Sequence, residues 1–162
     1  MFRWLFQCAL ILLLSVWVGS IVFFSAVVAP AVFQKLDHAQ ASRFLADLFP
    51  RYYFVGTLCG SAALVLLLPL LLFDSGSRGI RLVQMLLVGS MLAGNLYAGG
   101  VLEGAIHRLG EERATAATSA ARAEAKLRFD RLHHRSVTLN LTVLGLGVAA
   151  LGTTATRSRK PA

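Results

Sequence analysis

Four long apolar runs divide the chain: Leu5 to about Val32, Tyr53 to Phe73, Ile80 to Leu102, and Val137 to about Ala155. A helix needs about 20 residues to cross the hydrocarbon core of a bilayer. All four runs meet that requirement. With no water to pair the backbone, a helix is the form that satisfies it, so the pattern predicts four spanning helices. The first run is also longer than the roughly 7–15 apolar residues of a cleaved signal peptide. It is expected to be retained.

The polar stretches between the runs set the connections. "DSGSRG", Asp74 to Gly79, is a short turn-forming loop that makes the second and third helices antiparallel neighbours. The segment from Phe33 to Tyr52 carries Leu36, Phe44, Leu45, Leu48 and Phe49 on an apolar side, and Pro50 follows. That pattern predicts a short helix lying in the interface and ended by the proline. The third connection, Glu103 to about Ser136, is rich in alanine and charge, a composition that favours helix. No glycine or proline interrupts the chain from Glu111 to Leu144. The fourth helix is therefore expected to begin well outside the membrane and enter it unbroken.

Composition agrees with this reading. Of the 162 residues, 56% are hydrophobic and 15% charged, and the mean hydropathy is +0.66. A soluble domain of this size could not hide so much apolar surface. The length suits a single transmembrane domain over residues 1–162. The net charge of +8 comes from short segments between apolar runs, the usual address of headgroups and membrane-flanking loops rather than nucleic acid. Cys8 and Cys59 lack any paired or metal-type spacing. Four crossings put both termini and the 74–79 loop on one side. All four histidines and every acidic residue except Asp74 then fall on the other. Ten basic residues share the histidine side, but the six on the side of the termini (Arg3, Arg78, Arg81, Arg157, Arg159 and Lys160) are denser in short segments, which places the termini in the cytoplasm of a cell whose plasma (inner) membrane holds the protein.

Polar chemistry concentrates in the stretch "FDRLHHRSVTLN", Phe129 to Asn140. His133, Ser136 and Asn140 share one helix face by their spacing. Asn95 on the third helix lies at a matching depth, with Ser25 and Thr57 or Ser61 close enough to join. Two readings stay open: a polar binding layer of His133, Ser136, Asn140 and Asn95, or interhelical hydrogen-bond glue. "GTLCG" at Gly56–Gly60 and "GVLEG" at Gly100–Gly104 have the GxxxG spacing of close helix contacts, within the monomer or in a homo-oligomer. Glu103, His107 and His133 form a conceivable metal set, with a haem held by two histidines as its counterpart. No cofactor is expected from the residues themselves. No nucleophile triad, phosphate loop or catalytic carboxylate pair is present, so an enzyme is not expected.

The chain resembles the transmembrane protein 205-like family, catalogued as domain of unknown function 4149. The resemblance lies in "VWVGSIVFFSAVVAPAVF", "LADLFPRYYF", Asn95 in "GNLY", and the spacing of Phe129, His133, Ser136 and Asn140. It implies an all-α integral membrane four-helix bundle without an assigned reaction. Three functions follow as expectations: a non-enzymatic protein that binds or moves a small solute or metal ion, a structural or assembly partner of other membrane proteins, or a haem- or metal-binding redox protein.

Overall fold

The computed structural model describes residues 2–73 and 78–158. Most of the 74–79 loop with Asp74, the end of the tail (159–162), and the side chains of Arg3, His38 and Arg157 lie outside the described residues. The described residues form six helices: α1 (Phe2–Phe23), α2 (Ala29–Lys35), α3 (His38–Phe73), α4 (Arg78–Tyr97), α5 (Glu103–Thr115) and α6 (Ser119–Ser158). One π-helical segment, Phe24–Val28, joins α1 to α2, and another, Ala98–Leu102, joins α4 to α5. The protein is all-α, and its four continuous helical rods are long and apolar enough to cross a membrane.

Each π-turn has a local cause. Pro30 has no N–H to give the carbonyl a turn earlier, and the first rod widens just before it, the Ala29 amide bonding Phe24 O. In the second, Gly99 and Gly100 hold helical geometry loosely, and the Glu103 amide reaches Ala98 O. α2 continues the first span, so the apolar helix expected between Phe33 and Tyr52 takes a different form. It begins at the Asp37 cap, whose carboxylate accepts the Gln40 amide at 2.8 Å. It then runs through Pro50 and Pro69 to Phe73 as a single 36-residue helix. Each proline removes only one backbone bond, and flanking turns packed on neighbouring helices carry the rod across.

The third connection also departs from expectation. The third rod runs past Leu102 to Thr115, and the chain reverses over Ala116, Ala117 and Thr118. Side chains replace the missing glycine and proline. The Thr118 hydroxyl accepts the Ala121 amide at 3.2 Å, and the Arg122 guanidinium donates to Ala116 O at 3.3 Å, capping both helix ends. The fourth helix does enter the membrane unbroken. At 40 residues α6 is about 60 Å long, twice the hydrocarbon thickness. With α5 it forms a helical arm standing off the histidine side.

The core joins Leu10, Leu14, Trp17 and Ile21 of α1 to Cys59, Ala63 and Leu67 of α3, Val88 and Met91 of α4, and Val143 and Ala150 of α6. Outside it, Phe54, Val65, Leu86, Leu141 and Val148 are all more than half exposed. Water would penalise so continuous an apolar coat, and lipid does not.

Candidate functional site

The buried residues of α4 are Arg81, Gln84, Val88, Met91 and Asn95. Their three-and-four spacing forms one seam facing the bundle axis. The ends of the seam are polar and the middle is apolar, so the bundle has two polar layers separated by core.

The layer on the histidine side is built on consecutive tyrosines. Asn95 Nδ2 donates to Tyr53 O at 2.9 Å and to Thr57 Oγ1 at 3.0 Å. The Tyr52 hydroxyl donates to Asn140 Oδ1 at 2.7 Å, and Asn140 Nδ2 donates to Ser25 Oγ at 3.1 Å. The Ser136 side chain lies close to the Tyr53 phenol. Small residues make this closeness possible. A Cβ at Gly99 would come within 2.8 Å of the Tyr53 ring, and one at Gly60 within 2.8 Å of the Trp17 ring. Tyr52 also packs on Phe24, ring centroids 4.7 Å apart. Ser25 and Phe24 sit in the first π-turn and Gly99 in the second, so both widened turns border the layer.

Asn95, Ser136 and Asn140 therefore converge, with Ser25 and Thr57, while Ser61 is exposed. The two asparagines are not bonded to each other. The Tyr52–Tyr53 pair stands between them. His133 lies above the layer, exposed, its ring stacked on Phe129 at 6.0 Å. His107 turns forward to Glu111, 3.3 Å away, rather than back toward Glu103. Among the described residues, no three His, Cys, Asp or Glu side chains come together as a metal-holding group. Of the two GxxxG pairs, Gly56–Gly60 is a close contact, while Cβ atoms at Gly100 and Gly104 would meet nothing within 4 Å.

The second layer lies toward the termini. Arg81 Nη1 donates to Gln84 Oε1 at 2.9 Å, and Gln84 Nε2 donates to Thr154 Oγ1 at 3.1 Å. The Thr154 hydroxyl donates to Ala150 O at 2.7 Å, and Gln7 Nε2 donates to Thr154 O at 3.2 Å. Arg81 and Gln84 are each 1% exposed. A cation so deep in a membrane bundle calls for polar partners, and Gln84, itself tied to Thr154 of α6, supplies one. Sequence reasoning only counted Arg81 among the basic residues on the side of the termini. Counting back from Asn95 in steps of four and three, through Met91 and Val88, would have reached Gln84 and Arg81.

Above the membrane, α5 and α6 enclose a recess of about 270 Å³ lined by Glu112, Thr115, Ala121, Glu124, Ala125 and Arg128. Glu124 pairs with Arg128, and Lys126 with Asp130 at 2.8 Å. The hydrogen bond from Lys126 holds the Asp130 carboxyl below its usual range.

The fold and its two layers define a polytopic membrane bundle bolted at both ends. The model of the family described as "Domain of unknown function (DUF4149)" matches residues 12–115. The chain belongs to that family. The matched segment begins within α1, runs to the end of the third rod and stops before α6, so the His133–Ser136–Asn140 stripe lies beyond it. No curated protein and no solved structure matches the chain.

Proposed function

We infer that this protein is a membrane scaffold, in which a locked bundle holds the α5–α6 arm above the bilayer as a docking element for another membrane protein. The observation that carries the reading is the use of the central amides. Both donors of Asn95 and both ends of Asn140 are engaged by other helices, which is what interhelical glue requires. The arm has the opposite character: its tip is exposed and charged, with Glu112 and Glu124 at the recess. Residence in a plasma (inner) membrane with cytoplasmic termini, and the transmembrane protein 205-like character of the chain, belong to the same reading.

A second reading, small-solute binding, has one observation in its favour. The Asn140–Ser25 bond lies on the accessible side of the bundle, so a hydrogen-bonding solute arriving from that side meets Asn140 first.

A photo-crosslinking residue placed at Ala121 and, separately, at the lipid-facing Val65 separates the two. The scaffold reading expects one discrete protein adduct from Ala121 in native membranes and only lipid adducts from Val65. If Ala121 gives no discrete adduct and an added solute shields Val137→Cys, one turn from Asn140, from a thiol reagent in a Cys8→Ser background, the scaffold reading is lost to the second.

A further inference from the structure

The outer face of α6 carries a feature that neither the packing nor the arm explains. Arg131 and Arg135 lie four residues apart on the side opposite the Phe129–His133–Ser136–Asn140 stripe, and both are exposed. Other cations on this part of α6 have partners: Lys126 holds Asp130, Arg128 holds Glu124, and Arg122 caps α5. The apolar run begins at Val137, so the two guanidinium groups stand at headgroup level.

Below them on the same face come Thr138, Thr142, Gly145 and Ala149, all exposed. The hydroxyls of Thr138 and Thr142 are turned back onto His134 O and Thr138 O, each at 2.9 Å, which leaves their methyl groups outward. A Cβ at Gly145 would meet nothing within 4 Å. The result is a shallow apolar groove about 16 Å long from Thr138 to Ala149, flanked by Leu141 and Leu146. It starts directly beneath two cations.

We propose that Arg131 and Arg135 hold the phosphate of an anionic phospholipid, with one acyl chain lying in the groove formed by Thr138, Thr142, Gly145 and Ala149. Charge and shape agree on this occupant. Guanidinium forks match phosphate oxygens, and the small residues admit a chain along the helix. A second copy of the protein fits less well. A two-fold axis along the membrane normal through this face would set Arg131 and Arg135 against themselves.

The test is native mass spectrometry of protein released from nanodiscs of mixed phosphatidylglycerol and phosphatidylcholine. Wild type is expected to keep one phosphatidylglycerol. Arg131→Gln with Arg135→Gln should weaken that retention on the order of tenfold or more. Gly145→Leu should weaken it with the charge unchanged, whereas Arg43→Gln with Arg113→Gln should not. Helix content by circular dichroism in phosphatidylcholine discs confirms that each variant is folded. Equal retention by wild type and the Arg131/Arg135 variant overturns the proposal. So does efficient displacement by inorganic phosphate, which would mark a free-anion site, or ready disulfide dimerisation of Gly145→Cys, which would mark a protein interface.

Discussion

At Gly56 three helices converge on one missing side chain. A Cβ there would overlap Asn95 Oδ1 and sit 2.7 Å from Trp17 Nε1. Neither neighbour can retreat freely, because Trp17 is 1% exposed and Asn95 is held by two hydrogen bonds. Gly56→Ala is expected to cost about 1–3 kcal/mol, the range for forced overpacking. Gly104→Ala, at a position open to its surroundings, should cost nothing measurable. Reversible unfolding in mixed micelles gives the comparison, and equal stability of the two variants would contradict the packing described. A second residue-scale expectation concerns Asp130, depressed first by the Lys126 hydrogen bond and then by the charges of Lys126, Arg113 and His133. Lys126→Met should return its pKa toward the ordinary 3.8. A carboxyl NMR titration reads this directly, and an unchanged midpoint would assign the depression to Arg113 and His133.

At the scale of elements, hydropathy made the spans legible because it measures what the bilayer demands: about 20 residues without charge. The glycine pair Gly56–Gly60 and the convergence of Asn95, Ser136 and Asn140 were legible for a similar reason, since helical periodicity alone fixes faces and depths. What the pattern hid was everything set by partners. Pro50 looked like a helix end, yet the rod continues through it. The reversal at 116–118 carries no glycine or proline, and its alanines favour helix, so the hydrogen bonds of Thr118 and Arg122 decide where the rods stop. Tyr52 and Tyr53 stood only as the boundary between the first connection and the second run, although they link the two asparagines. The cap gives a sharp expectation. Thr118→Ala should weaken the start of α6 by about 1 kcal/mol. Amide exchange at Ala121 and Arg122 would then quicken roughly fivefold, while exchange in the core half of α6 stays unchanged.

At the scale of the whole molecule, the decisive geometry is the separation of the two polar layers. Asn95 and Gln84 stand 11 residues apart on one straight helix, about 16 Å. Val88, Met91, Trp17 and Leu14 fill the space between them. A scaffold needs the layers only as independent bolts, each holding its own end of the bundle. A carrier that alternates access must instead loosen one end while tightening the other, which makes the layers energetically dependent. Double-mutant cycles distinguish the two. Asn95→Ala and Gln84→Ala are expected to add within about 0.5 kcal/mol, as distant sites without shared partners do. Gln84→Ala and Thr154→Val remove the two ends of one hydrogen bond, so that cycle should show a coupling of about 0.5 kcal/mol or more. The within-layer cycle shows that the assay can detect coupling. If Asn95 and Gln84 prove coupled as strongly as Gln84 and Thr154, the ends of the bundle move together. The locked scaffold would then give way to a moving one, with Asn140 and Ser25 at its accessible side.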